Sequence, residues 1–259
     1  MVPAEIVNHI LSFLHSDHDY TTLETCSDIF PQIVDRHLYS QIGFTPYSPN
    51  GLFPSRTSFN KGAYHIHPTK FLRLLVDRPH VANYVRVVVI HLPEKPDSTL
   101  FELSSILTIL PHIESISLSA SGVPYWHTLG PNFCMTFRNC IRLPSIKEIA
   151  ITDIDGFSLD AFHACENLKN LILYGKFLGG EGSSTSSCPQ LSSLSVDPRT
   201  DPARMVSWMK SMNPNTLNTL CLRMSQGGGG LPKLIPLIKA CSTTLVNLEL
   251  DLILFSREL

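Results

Sequence analysis

The stretch LKNLILYG, residues 168–175, contains the spacing on which the fold of this chain depends. Leu168, Leu171 and Leu173 follow the pattern L-x-x-L-x-L, whose last two apolar residues alternate as on a short strand with one buried face. The intervals between successive copies of the triplet run from 22 to 33 residues. Five further copies begin at Ile113, Ile146, Leu191, Leu217 and Leu245.

Self-similarity at this period is the signature of leucine-rich repeats. We therefore predict an α/β chain in which residues 81–259 form an irregular leucine-rich-repeat-like solenoid of parallel strands. A doubly wound sheet has the same alternation of strands and helices and is the competing fold. The helices expected between strands are 101–110, 158–165, 201–212 and 232–241, with Ser158 and Asp201 as N-terminal caps of the second and third.

An earlier apolar stretch, NYVRVVVIHL at 83–92, fits the same triplet in two registers. One register buries Tyr84, Val87 and Val89. The other lies one residue later and begins at Val85. A shift of one residue exchanges the two faces of a strand, so both registers remain open at this point.

The chain opens with a short apolar helix, VPAEIVNHILSFL at 2–14. At about 100° per residue its apolar residues cover an arc of about 160°, wider than the roughly 100° stripe of an ordinary surface helix. Residues 20–30 and 31–42 are predicted to form two further short helices. Either these helices cap one end of the solenoid, or they require a partner to cover the arc.

The opening helix, the stretch LETCS at 23–27 and the stretch DRHLYSQI at 35–42 together resemble the F-box of large fungal protein families. The resemblance implies a fold with a three-helix F-box-like segment at 1–45, a loop and linking helix at 46–80, and then the solenoid. It implies the function of a substrate receptor of an SCF-type ubiquitin ligase, in the ubiquitin conjugation pathway. The F-box of such a receptor docks a Skp-type adaptor that is tied to a cullin.

The same resemblance implies which residues contact the adaptor. They are Val2 and Pro3 at the initial turn, and Ile6, Ile10, Leu11 and Leu14 on the apolar arc. After Cys26 and Ser27 the chain lacks four or five residues that the family usually has. The alternative is therefore a leucine-rich-repeat interaction scaffold with a degenerate F-box that does not bind the adaptor.

The target would bind the strand face of the solenoid, where short polar residues fill the positions between the apolar ones. The predicted target-binding residues are Ser117, Lys147, Lys169 and Asn218, with Trp126 on a loop. Trp126 has a second interpretation, which is packing against the helix that follows it.

Composition argues against several other partners. The 20 Lys and Arg residues balance the 22 Asp and Glu residues without a basic run, so nucleic-acid binding is not expected. No apolar stretch reaches the roughly 20 residues that span a bilayer, so no membrane contact is expected. Seven scattered cysteines without a Cys-x-x-Cys pair indicate reduced thiols in the cytoplasm or nucleus.

No catalytic motif, metal site or cofactor site is predicted. The glycine-rich stretch 178–187 lacks the lysine of a phosphate-binding loop. The histidines of 15–19 and 65–67 are read as polar turns rather than metal ligands. We expect no enzyme, although a hydrolase-like α/β enzyme remains a third hypothesis that would require a convergent polar pocket.

Overall fold

The computed structural model describes residues 31–44, 63–93, 99–179, 189–212, 216–225 and 231–253. The described residues form one sheet of nine parallel strands in the order β2-β1-β3-β4-β5-β6-β7-β8-β9. The strands are β1 Gln41–Phe44, β2 Tyr64–His65, β3 Val87–Leu92, β4 Ser115–Ala120, β5 Glu148–Thr152, β6 Asn170–Tyr174, β7 Ser193–Val196, β8 Thr219–Ser225 and β9 Asn247–Ile253.

Helices connect most of these strands. From β3 onward each new strand is added beside the preceding one, and right-handed connections then place every connecting helix on the same side of the sheet. The α-helices are α1 Pro31–Leu38, α2 Pro68–Asp77, α3 Thr99–Ile109, α4 Pro131–Ile141, α5 Pro202–Ser211 and α6 Leu231–Cys241. Short 3-10 helices are Pro79–Asn83, Trp126–Leu129 and Leu159–Ala164.

The predicted fold class, a three-helix F-box-like segment followed by a leucine-rich-repeat solenoid, is wrong. The structure is instead an α/β arrangement built on a single nine-stranded parallel sheet. Gln41 and Ile42, predicted as the end of the third helix at 31–42, instead begin β1, and residues 41–44 pair with Val87–Ile90 of β3. Four alternating residues are too short a signal to separate a strand from the end of a helix. Pairing with β3 satisfies their backbone groups and decides between the two.

Helix α1 contacts the residues that lead into β3 and does not form a separate segment. Asp35 on α1 is fully buried, and its two carboxylate oxygens accept hydrogen bonds from Arg78 Nη1 at 3.1 Å and His80 Nε2 at 3.0 Å. A carboxylate removed from water requires such partners. The first two predicted helices, and with them Val2, Pro3, Ile6, Ile10, Leu11 and Leu14, lie outside the described residues.

The apolar residues of the six triplets are buried, except on the last strand. Leu168, Leu171 and Leu173, for example, are at most 1% exposed and belong to one continuous hydrophobic core with the helices. The ambiguous stretch at 83–92 takes the second register, because Val85, Val88 and Ile90 are the residues that enter this core.

Several predicted helix boundaries follow from their caps. Ser158 Oγ accepts a hydrogen bond from Asp160 N, and Asp201 Oδ1 accepts one from Ala203 N. These side chains satisfy backbone donors that the first helical turn leaves unpaired. Helix α6 is continuous through Pro236.

Within the described ranges, no helix combines the length and the apolar character that a membrane crossing requires.

Candidate interaction face of the sheet

The two faces of the sheet differ in what packs against them. The helices pack on the face that carries the buried triplet residues. Successive side chains of a strand point to opposite sides, so the alternate residues lie on the other face. On β4 these are Ser115, Ser117 and Ser119. We call this second face the polar face.

A row of side chains crosses the polar face at the carboxyl ends of the strands. Register aligns His91 with Ser119, Ser119 with Thr152, and Thr152 with Tyr174. Ligands of open parallel sheets bind at this end of the strands. The row, here called the carboxyl row, consists of His91, Ser119, Thr152, Tyr174, Asp197, Arg223 and Asp251.

The imidazole of His91 joins two serines. Its Nδ1 lies 2.9 Å from Ser119 Oγ, and its Nε2 lies 2.7 Å from Ser121 Oγ. Ser119 Oγ also lies 3.4 Å from the carbonyl oxygen of Ile90, to which it can donate its proton. In the tautomer that matches this arrangement, Nδ1–H donates to Ser119 and Nε2 accepts from Ser121. Burial lowers the pKa of His91, and the negative charge of Asp153 raises it by a smaller amount. The ring is therefore neutral at pH 7.

A second group in the row is built around Tyr174. The Tyr174 hydroxyl is 2.8 Å from Ser195 Oγ, and the Arg223 guanidinium stacks on the tyrosine ring 4.5 Å from its centroid. Asp251 lies on the far side of Arg223, with 3.9 Å between Arg223 Nε and Asp251 Oδ2. Burial raises the pKa of Tyr174, so it stays protonated at pH 7. The group connects β6, β7, β8 and β9.

Aspartates hold the loops that follow β5, β6 and β7. Asp155 Oδ1 accepts a hydrogen bond from Lys176 N at 2.9 Å, and Asp197 Oδ1 accepts one from Arg199 N at 3.1 Å. Arg199 bridges Asp197 and Asp153 at 2.6 and 2.8 Å. Burial nevertheless raises the pKa of Asp197, and the positive charge of Arg199 acts in the opposite direction. These contacts fix the loops at the carboxyl ends of the strands, and we assign them a role in stability.

Three of the five predicted target-binding residues lie along one row, and the other two are buried elsewhere. Lys147, Lys169 and Asn218 are exposed at the opposite, amino end of the strands, where Lys147 Nζ pairs with Glu114 at 2.6 Å. Ser117 is buried at the centre of β4. Trp126 is 4% exposed and packs against Phe133 and Phe137 of α4, the helix that follows it.

The polar face is most accessible on the last two strands. The serines of β4 are buried, as are Ser195 and Asp197 on β7, whereas Thr219 and Cys221 on β8 are half-buried. On β9 the polar-face residues Asn247, Glu249 and Asp251 are exposed. The part of this face that a macromolecule can reach is therefore the end formed by β8 and β9.

The thiols and histidines of the described residues form no metal site. Burial raises the pKa of Cys140 and Cys165 to about 12 and that of Cys241 to about 11, so these thiols are protonated at pH 7. His67 Nδ1 accepts from Thr69 N as the cap of α2. In the described parts of the chain, no three His, Cys, Asp or Glu side chains lie close enough together to hold a cation.

A groove of about 260 Å³ lies in the helix layer, away from the carboxyl row. It is formed by the first turns of α3 and α4, with Leu100, Phe101, Leu129 and Phe133 in its wall. Its lining is mostly apolar, and Ser104, Thr128 and Asn132 add polar atoms.

The carboxyl row could have been found in the sequence. In each of the six triplets, the residue directly after the last apolar one is polar or aromatic: Ser119, Thr152, Tyr174, Asp197, Arg223 and Asp251. The predicted target-binding residues Ser117, Lys147, Lys169 and Asn218 lie inside the triplets, before this row. No local sequence pattern indicates that His91 contacts Ser121. The contact depends on the pairing of β3 with β4, which are neighbours in space but not in sequence.

Comparison with known proteins finds no matching family model, no matching curated protein and no matching solved structure.

Proposed function

We propose that the chain is the substrate-recognition subunit of an SCF-type ubiquitin ligase, acting in the cytoplasm or nucleus. In this proposal the polar face of the sheet holds the protein to be ubiquitylated. The segment that resembles an F-box recruits a Skp-type adaptor and, through it, the cullin ligase.

The observation that carries the proposal is the accessible end of the polar face. Its side chains on β8 and β9 are mostly polar and aligned in register, and they are half-buried on β8 and exposed on β9. Such a surface is extended rather than concave. It therefore suits a polypeptide better than a small molecule, which is usually enclosed in a pocket.

The recruitment half of the proposal is supported by the wide apolar arc of residues 2–14. That segment lies outside the described residues, so its support comes from the sequence alone. A protein-binding scaffold that does not recruit an adaptor is the alternative.

Co-expression with a Skp-type adaptor tests the recruitment step. We expect a complex of equal stoichiometry that survives size-exclusion chromatography, because the apolar arc would be covered by the adaptor. Ile10→Asp is expected to abolish the complex, since it places a charge in the arc. Asn8→Asp adds the same charge on the polar side of the helix and is the matched control.

Two outcomes count against the proposal. If the wild-type chain purifies alone, the scaffold alternative holds. If Asn8→Asp disrupts the complex as strongly as Ile10→Asp, charge rather than the apolar arc controls binding. Circular dichroism of each variant establishes that the sheet remains folded.

The pair of His91 and Ser121 favours a second candidate function, acyl transfer. In the tautomer that carries its proton on Nδ1, His91 Nε2 accepts from the exposed hydroxyl of Ser121 at 2.7 Å, as the base of a hydrolase accepts from its nucleophile. Ser121 Oγ would attack the ester carbonyl, and its proton would pass through His91 to the leaving alkoxide. Ser119 occupies the place of the carboxylate that usually orients the base.

A fluorophosphonate reagent tests this candidate. We expect phosphonylation of Ser121, detected by peptide mass spectrometry, with fluoride released and the proton taken by His91. His91→Gln should slow labelling at least about tenfold, because general-base assistance contributes roughly 10²–10⁴. Because burial lowers the pKa of His91, labelling should persist below pH 6.5 and fall only as the folded-state pKa is passed. An unlabelled Ser121 in the folded chain, or equal labelling in His91→Gln, rules the candidate out.

A further inference from the structure

Strand β9 is the last strand of the sheet that the described residues form. On one side it pairs with β8, from Thr219 opposite Asn247 to Ser225 opposite Ile253. On its other side no strand of the described chain is paired with it. An edge of this kind presents backbone donors and acceptors that another extended segment can use.

The apolar side of β9 is exposed, unlike the matching positions of the other strands. Leu248 and Leu250 are 46% and 52% exposed, whereas Leu220 and Leu222, their register partners on β8, are completely buried. Val246, just before the strand, is also largely exposed. The core therefore ends in a set of leucines that are only partly covered by the described residues.

The other side of β9 is acidic. Glu249 and Asp251 are exposed on the polar face and lie on alternate positions with the leucines. Arg223 approaches Asp251 to 3.9 Å, a loose contact that leaves the carboxylate accessible. The strand thus presents leucines on one side and carboxylates on the other, at a spacing of two residues.

We propose that the edge of β9 binds an extended segment of the target in which apolar residues alternate with lysine or arginine. The segment adds to the sheet as a tenth strand, through main-chain hydrogen bonds to β9. Its apolar side chains lie beside Leu248 and Leu250, and its basic side chains lie beside Glu249 and Asp251. This inference rests on the proposed function, since it names the kind of target segment that the recognition subunit holds.

Charge argues against a second copy of the chain as the occupant. A two-fold axis perpendicular to the sheet pairs β9 with β9 in antiparallel orientation. Centred on Leu250, this pairing places Glu249 opposite Asp251 of the other copy. Centred on Glu249, it places that carboxylate opposite itself. Like charges directly opposite one another destabilise a strand pair, whereas lysine or arginine there stabilises it.

Fluorescence anisotropy with synthetic peptides tests the inference on the full chain. The probe is a labelled heptapeptide of alternating valine and lysine, and the matched control alternates valine and glutamate. We expect the lysine peptide to bind at least about tenfold more tightly than the glutamate peptide. The double variant Glu249→Lys and Asp251→Lys should reverse this preference. Both residues are exposed, so the variant keeps its core.

A third variant separates strand addition from simple charge attraction. Leu250→Asn leaves both carboxylates in place and adds no charge, but it makes the apolar side polar, so it should weaken binding of the lysine peptide about tenfold. If the lysine peptide still binds Leu250→Asn with unchanged affinity, attraction is purely electrostatic and the tenth-strand inference is wrong.

Other occupants of the edge give different results. A concentration-dependent dimer in sedimentation velocity that Leu250→Asn dissociates would identify a second copy and overturn the inference. Peptide binding that occurs only after deletion of residues 254–259 would identify the chain's own final segment and also overturn it. None of these variants touches residues 2–14. If the peptide fails to bind while the adaptor complex forms, the edge inference alone is lost.

Discussion

Phe157→Ala is expected to lower the free energy of unfolding by about 3–5 kcal/mol, as is usual for truncation of a fully buried aromatic side chain. Phe157 is completely buried in the loop after β5. Its ring meets Trp126 edge-on at a centroid distance of 4.6 Å and stacks beside Phe162 at 5.3 Å. Truncation leaves a cavity between the two, so the loss includes both burial and aromatic contacts.

Urea denaturation followed by tryptophan fluorescence measures this loss, because Trp126 contacts the substituted ring. Phe101→Ala is the matched control. It removes the same atoms from a side chain that is 72% exposed, and its effect should stay within about 0.5 kcal/mol. Equal destabilisation by the two substitutions would show that the aromatic cluster does not hold the core together.

The same cluster explains why Trp126 is a poor candidate for target binding. Its indole lies among Phe133, Phe137 and Phe157, and the Arg138 guanidinium lies 5.9 Å from the ring. A substitution at Trp126 would therefore act first on stability. Any loss of partner binding in such a variant has to be corrected for the fraction that is unfolded.

Gly175→Ala is expected to destabilise the fold by about 1–3 kcal/mol. Gly175 follows β6 with a φ of 150°, and an added Cβ would lie 2.8 Å from the carbonyl oxygen of Ile154. The obstacle is backbone and cannot rotate away. Relief requires the loops after β5 and β6 to separate, which would strain the hydrogen bonds of Asp155 to Lys176 N and of Thr200 to the Gly175 carbonyl.

Thermal unfolding of Gly175→Ala should be compared with that of Gly130→Ala. Gly130 also has a positive φ, of 79°, but an added Cβ there meets no atom within 4 Å. Gly130 has a ψ of 145°, a conformation nearly restricted to glycine, so Gly130→Ala reports conformational strain alone, of roughly 1–3 kcal/mol. Gly175→Ala adds crowding to such strain and should unfold at the lower temperature. If Gly175→Ala unfolds at the same temperature as the control or above it, crowding against the Ile154 carbonyl does not lower the free energy of unfolding.

Local patterns in the sequence were sufficient for strands β4 to β9 and, on β4 to β8, for the residues that enter the core. The triplets on these five strands identified which side chains point inward, because alternation on a strand depends only on neighbouring residues. The caps at Ser158 and Asp201 were predictable for the same reason, since a cap side chain bonds a backbone N–H two residues away.

Local patterns did not decide which strands belong to one sheet. Residues 41–44 alternate as weakly as many helix ends do, and the first two of them fall within the helix predicted at 31–42. Their partners at 87–90 are more than forty residues away. Pairing across that distance depends on backbone hydrogen bonds and on the burial of Ile42 and Phe44 in the common core, which no window of neighbouring residues contains.

The candidate site also has features that follow from neighbouring residues and features that follow from contacts between strands. The residues that follow each triplet, and the alternation of leucine with carboxylate on β9, can be read along the chain. The contact of His91 with Ser121 cannot, because it joins neighbouring strands that are about 30 residues apart. Only the tertiary structure decided that Leu248 and Leu250 are exposed where Leu220 and Leu222 are buried. The same residue pattern has different surroundings at the centre and at the edge of a sheet, and exposure depends on those surroundings.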